Sequence, residues 1–267
     1  MTAPTVCGKS PILWCSGRLE LVGKKARLDM ALVERGLAES RTKAQALILA
    51  GKVRVDGQRA DKPGSLVAGS ADIQVEHAPR YVSRGGIKLE AALAHFGVNV
   101  AGRVCLDIGT STGGFTDCLL QHGAARVHAV DTGAGQIDWK LRTDPRVILH
   151  ENVNARYLEM QDIGEPADVI ACDVSFISVT LLIPALAPLL APKGDWIILV
   201  KPQFEVGREA VGPGGIVRDA AGHRMACEKV RSALEAAGFT VSMMDSPITG
   251  AEGNREFLAH ARAASRG

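Results

Sequence analysis

Aromatic side chains are scarce in this chain of 267 residues: Phe, Trp and Tyr together make up 4% of it. A surface that grips nucleic acid by stacking many bases is therefore excluded, and any such contact must work through backbone charge and shape. Metal-site and disulfide patterns are lacking too. The six cysteines (Cys7, Cys15, Cys105, Cys118, Cys172, Cys227) form no C-x-x-C pair, and no histidine stands at ligand spacing, so no metal is expected. Long apolar runs are missing. The run Val179 to Ala191 is broken by Pro184 and Pro188 and falls short of the ~20 residues a membrane span needs. The N-terminus does not run from basic to apolar to small residues, as an export signal would. These absences point to a cytoplasmic protein with reduced thiols and no membrane partner.

What is present suits a folded chain: 46% hydrophobic and 22% charged residues, over a length that fits two domains. The net charge of +2 hides an asymmetry, because residues 1–100 carry 15 Lys+Arg against 9 Asp+Glu and the remainder 16 against 20. Residues 1–25 show no periodicity and read as a mobile leader. From Arg27, Leu28, Ala31 and Leu32 share one helical face, and Gly36 stops the helix. Ser40 is placed to cap a second helix over 41–50 whose inward stripe is Ala44, Leu47 and Ile48, with Arg41 and Gln45 looking outward. Gly51 ends it, and alternation over 52–57 and again over 72–76 predicts a hairpin behind the two helices. The segments Arg27-Leu-Asp29, Ser40-Arg-Thr-Lys-Ala44, Gly51-Lys-Val-Arg-Val-Asp-Gly57 and Lys62-Pro-Gly64 resemble the small S-four RNA-binding domain of a ribosomal protein, pseudouridine synthases and tyrosyl-tRNA synthetases. An α+β RNA-binding domain is expected over 26–80. Arg27, Arg41, Lys43, Lys52 and Arg54 are its phosphate-neutralising candidates, against the plainer reading of a solvated basic face.

Beyond Pro79 apolar strands alternate with helical stretches, at 104–108, 127–131, 147–151, 169–173 and 196–201. Such alternation predicts an α/β domain, a Rossmann-like parallel sheet with helices on both faces and ligands at the carboxyl ends of its strands. The first strand runs into Asp107-Ile-Gly-Thr-Ser-Thr-Gly-Gly-Phe-Thr116, with a helix starting near Thr116. Gly109 would make the tight turn, while Gly113 and Gly114 would let a ligand approach the backbone. The spacing is not that of a dinucleotide fingerprint, and Asp107 at the mouth would repel a phosphate and welcome a cation. S-adenosylmethionine, with its sulfonium and ammonium and no phosphate, suits such a loop. Asp131, ending the second strand, is placed to take hydrogen bonds from ribose hydroxyls. Ser111, Phe115, Asn154 and Asp173 complete the cofactor candidates.

Asp173 and Lys201 follow apolar runs at two later strand ends, which makes them neighbours in the crevice. Together with Tyr81-Val-Ser-Arg-Gly-Gly-Ile-Lys-Leu89, Ser111-Thr-Gly-Gly-Phe-Thr-Asp117, Asp173-Val-Ser-Phe-Ile-Ser178, Lys201-Pro-Gln-Phe-Glu205, Gly214-Gly-Ile-Val-Arg-Asp219 and Gly253-Asn-Arg-Glu-Phe-Leu258, they make the chain resemble the TlyA family of FtsJ-like RNA 2′-O-methyltransferases, some of them named hemolysins. The resemblance implies a class I methyltransferase fold over 81–267, S-adenosylmethionine as cofactor, and a Lys-Asp-Lys-Glu tetrad, which falls on Lys88, Asp173, Lys201 and Glu256. In that scheme Lys201 would meet the 2′-oxygen and take its proton, Asp173 would orient Lys201, and Lys88 and Glu256 would pair. The resemblance further implies cytidine in 16S and/or 23S rRNA as target, and ribosomal RNA or subunits as partner. The glycine-rich stretch between Gln203 and Gly222, with Arg208 and Arg218, reads as a loop closing over the target, and Arg84 joins the RNA-binding candidates. Two other classes compete: a membrane-active hemolysin, which the lack of a span opposes, and a silent RNA-binding protein, which would need a broken tetrad. Nothing in the sequence speaks to oligomeric state.

Overall fold

The structure, a computed structural model, describes residues 25–76 and 79–263. The leader read over 1–25 thus lies outside the described residues but for Lys25. The chain divides into two compact units, Met1–Ala78 and Pro79–Gly267.

In the first unit the helices Leu28–Glu34 and Arg41–Leu49 turn Leu28, Ala31, Leu32, Ala44 and Ile48 onto Val53, Val67 and Ile73 to make a small core. The Ser40 hydroxyl accepts the Lys43 amide at 3.3 Å, starting the second helix where an N-cap serine should. Strand Val53–Val55 pairs antiparallel with Gln58–Ala60 on one side and Ile73–Val75 on the other. Asp56 and Gly57 both have positive φ (49° and 79°), as a two-residue hairpin turn of matching twist requires.

The second unit holds one seven-stranded sheet. β1 (Val104–Ile108), β2 (Arg126–Asp131), β3 (Val147–Glu151), β4 (Ala167–Cys172) and β5 (Leu190–Val200) run parallel, and β6 (Phe239–Asp245) and β7 (Phe257–Ala263) complete the order β6-β7-β5-β4-β1-β2-β3. β7 is antiparallel to both neighbours. Along these strands side chains alternate between two buried faces, which is why the strands read as unbroken apolar runs. Leu106, Ile108, Ile170, Trp196 and Ile198 meet Val230 and Leu234 of a helix at Ala220–Ala236. Cys105, Val169, Ala171, Ile197 and Leu199 meet Leu89 and Leu93 of α1 (Gly85–Phe96) and Leu119 of α2 (Gly114–Gln121).

After β3 the chain crosses to the far side of β1 to form β4. The carboxyl ends of β1 and β4 therefore lie side by side with their connections leaving in opposite directions, which opens a crevice there. Among the described residues no helix is long and apolar enough to cross a membrane.

Candidate active site

The crevice is formed by the loops after β1 and β4, which touch. Gly109 has φ +84°, and a Cβ there would sit 2.4 Å from the Asp173 carbonyl oxygen, so both the turn and the close approach demand glycine. Between these loops lies a cavity of about 440 Å³ whose wall includes Ile108, Val130, Val153 and Leu182 together with Ser111, Asp131, Asn154 and Asp173, and includes no lysine or arginine. Asp131 is braced by the loops themselves, its two oxygens each accepting a backbone N–H at 2.7 Å, from Ser111 and Gly133. Each oxygen keeps a further lone pair for a ligand.

Three expectations for this loop need correcting. Asp107 does not stand at the mouth: it is fully buried and absent from the cavity wall. Its place in β1 faces the side covered by α1 and α2. There one of its carboxylate oxygens accepts the Thr116 amide at 3.0 Å and hydroxyl at 2.6 Å, while the other has no partner. Burial pushes this carboxyl up to about 7 against the pull of the Thr116 donors, with the charges of Asp173 and Asp131 adding to the rise. Gly113 and Gly114 make room for protein, because a Cβ would strike Leu141 at 2.3 Å and the Ser83 hydroxyl at 2.1 Å. The helix also begins at Gly114, two residues earlier than expected.

A second cavity, of about 300 Å³, shares Gly109, Ser111, Asp173 and Ser175 with the first. Lys88, Asp173, Lys201 and Glu256 all line it, with Arg84 and Phe115. They form two ion pairs. Lys88 Nζ lies 2.5 Å from Glu256 Oε2, both side chains buried, and Lys201 Nζ lies 2.6 Å from Asp173 Oδ1. Lys201 also donates to Ser175 Oγ at 2.8 Å. Asp173 and Lys201 are the first residues past β4 and β5, neighbouring strands, so the sheet itself delivers them to one point. Two cations and two anions enclosed this closely can persist only as pairs, and such a set can steady charge that develops between them.

A third cavity, of about 340 Å³, continues from Ser175, Lys201 and Glu256 to Phe176, Gln203, Phe204 and Glu252. Phe176 is 91% exposed and sits at φ +66°, a conformation bulky residues rarely adopt; its ring centroid is 5.3 Å from that of Phe204. Glu205, which lay inside a quoted motif without a role, joins the two loops. Its carboxylate accepts the Ser178 hydroxyl at 2.5 Å and the Val179 amide at 2.8 Å. The stretch read as one loop over 203–222 carries short helical turns at Pro202–Glu205 and Arg208–Ala210, and turns again at Gly214 and Gly215, both at φ 74°. It is held by Asn254, whose side chain bonds Val217 N and Gly215 O at 3.0 Å each. Arg208 and Arg218 remain exposed on it.

The basic candidates of the first unit divide in two. Arg27 and Arg41 reach the fully buried Asp29 at 3.0 Å, and Gln45 donates to it at 2.9 Å, so Arg41 and Gln45 do not simply look outward as the helical period suggested. The Arg27 guanidinium beside Asp29 holds that carboxyl well below the usual range. Arg54 pairs with Glu76 at 3.1 Å. Lys43 and Lys52 form no ion pair among the described residues.

Comparison with known proteins adds the lineage. The pattern of the FtsJ-like methyltransferases matches residues 81–263 and that of the S4 domain residues 26–73. The 16S/23S rRNA (cytidine-2′-O)-methyltransferase TlyA of Mycobacterium tuberculosis is 46% identical over 240 residues, 89% of this chain and 90% of that one. This chain belongs to the TlyA family of FtsJ-like methyltransferases. Within the TlyA family the names vary: Hemolysin A of Brachyspira hyodysenteriae is 44% identical over 88% of this chain and 98% of its own. A solved structure from Streptococcus thermophilus, also named a hemolysin, superposes with a TM-score of 0.68 at 45% identity, covering 90% of this chain and 89% of that one.

Proposed function

We propose that this TlyA-family protein methylates the ribose 2′-hydroxyl of cytidine in ribosomal RNA, with S-adenosylmethionine as donor and ribosomal subunits in the cytoplasm as its working partner. One observation carries the reading: the four side chains of the two ion pairs line a single cavity that shares Gly109, Ser111, Asp173 and Ser175 with the one at the β1–β4 crevice. The residues around the 440 Å³ cavity fit the cofactor. Apolar side chains would cover the adenine, Asp131 and Asn154 would take ribose hydroxyls, and a wall with carboxylates and without lysine or arginine accepts a cation and refuses a phosphate. When bound, the cofactor supplies an electrophilic methyl on a positively charged sulfur.

The chain's own residues do the remaining work, which is positioning and removal of one proton. An N–H of Lys201 would meet the 2′-oxygen and offset the negative charge left on it as its proton departs; that oxygen forms its bond to carbon as the carbon–sulfur electron pair returns to sulfur. The proton leaving the hydroxyl would pass to the Asp173 carboxylate, since an ammonium whose N–H groups are engaged has no lone pair to take it. Lys88 and Glu256 would neutralise each other across the cavity and leave no net charge there to compete with the reacting oxygen. Phe176, presented at the rim by its left-handed backbone, would face the target nucleotide, and the first unit would hold flanking RNA through its unpaired lysines.

The reading is tested by mapping ribose methylation on rRNA from cells with and without the protein, and by transfer of labelled methyl to purified subunits. Loss of a cytidine 2′-O-methyl signal in 16S rRNA, 23S rRNA or both on deletion, restored in vitro by the purified protein, is expected. An unchanged methylation map would sink it.

A further inference from the structure

We infer that Ser175 is a positioning residue for methyl transfer, one that aims the free N–H of Lys201 at the acceptor oxygen; this rests on the reading of Lys201 given above. Among the described residues Ser175 is the one that lines all three cavities, so it stands where donor, ion pairs and acceptor must converge. Its hydroxyl oxygen accepts from Lys201 Nζ at 2.8 Å, while Asp173 Oδ1 lies 2.6 Å from the same nitrogen.

An ammonium has three N–H groups arranged tetrahedrally on a flexible four-carbon stem. With the Asp173 contact alone, rotation about the Cε–Nζ bond is not fixed and the protons would sweep a circle. The contact with Asp173 is also off the direction of a good hydrogen bond, since Oδ1 has no donor aligned with it. A second, directed contact to Ser175 stops that rotation and leaves one N–H with one fixed direction. The neutral hydroxyl does this without adding another negative charge beside Asp173. Having accepted from Lys201, it also keeps its own proton to donate into the junction. The next residue, Phe176 at φ +66°, turns the chain sharply, so that consecutive side chains serve different ends: Ser175 toward Lys201 and Phe176 to the exposed rim.

The test compares Ser175→Ala, Ser175→Thr, Lys201→Ala and the Ser175→Ala/Lys201→Ala double variant, with ribosomal subunits as substrate and saturating cofactor. Ser175→Ala is expected to lower kcat about tenfold to a hundredfold. KM for subunits and Kd for S-adenosylmethionine should stay within about twofold, and the melting temperature should not change. Ser175→Thr, which keeps an oxygen in place, should recover most of kcat, and the double variant should be no slower than Lys201→Ala. If Lys201→Ala abolishes transfer while Ser175→Ala keeps kcat within about twofold of the parent, the inference about Ser175 is wrong and the reading of Lys201 stands. A failure of Ser175→Thr to recover kcat, with its melting temperature and cofactor affinity intact, would also overturn it. If Lys201→Ala itself transfers methyl at the parent rate, the underlying reading falls first.

Discussion

Asp107 and Lys201 are both charged residues next to apolar strands, yet they meet opposite fates. β1 alternates between two buried faces, so the strand gives no sequence signal of which way Asp107 turns, and its burial became visible only with the helices in place. Because its native carboxyl is raised to about 7 from an ordinary value near ~4, the folded state holds more protons than the unfolded one between those limits. Its contribution is therefore best below about pH 4 and declines as the pH rises to about 7. Urea unfolding between pH 5 and 8 should show Asp107→Asn gaining on the parent as pH rises; a constant difference would contradict the assignment. Lys201 was legible because an apolar run that ends in lysine and proline stops at a strand's carboxyl end. Lys201→Ala should keep the fold and the cofactor and lose transfer. Lys201→Arg should recover little, since the planar fork of a guanidinium suits a pair of oxygens better than one. Rate measurements on subunits decide both.

Among the elements, the two-helix unit shows how a pattern can be right in outline and misleading in detail. Ser40 and Gly51 declared the helix start and its end through local chemistry and lie where that chemistry placed them, but the hairpin turns at Asp56-Gly57 onto Gln58–Ala60, a strand not read, with Ile73–Val75 on the other side of Val53–Val55. The buried role of Asp29 did not show, because an acidic residue in a helix's first turn ordinarily faces water. Its ties to Arg27 and Arg41 give those arginines a structural duty as well. Replacing Lys43 and Lys52 by glutamine should weaken RNA binding, lower the slope of log affinity against log salt by about 1 to 2, and leave the melting temperature unchanged. Arg27→Gln should lower the melting temperature and move that slope less. Equal effects of both variants on stability and on salt dependence would erase the distinction. β6 and β7 escaped the reading of strands although Phe239-Thr-Val-Ser-Met243 alternates in polarity. They are short of the apolar density that marked the buried parallel strands.

At the scale of the whole methyltransferase unit, the Lys88–Glu256 pair joins residues 168 positions apart. Motif resemblance named both, but no local rule could have brought them together: α1 precedes the sheet, and Glu256 arrives only because β7 enters antiparallel between β5 and β6. Glu256→Ala would leave a buried, unpaired ammonium and should cost about 3–5 kcal/mol in chemical unfolding, whereas Lys88→Met with Glu256→Leu should recover part of that loss and none of the activity. A single Glu256→Ala variant as stable as the parent would mean that the pair is open to water in solution.

The insertion of β7 also has a temporal side. The wall of the 440 Å³ cavity draws only on residues 108–182, whereas the cavity of the ion pairs needs residues from 83 to 256. During synthesis a growing chain can thus acquire the former well before the latter, which waits for Glu256. A chain that has not yet delivered Glu256 holds Lys88 without its counter-charge, so the 440 Å³ cavity can stand complete while that of the ion pairs cannot.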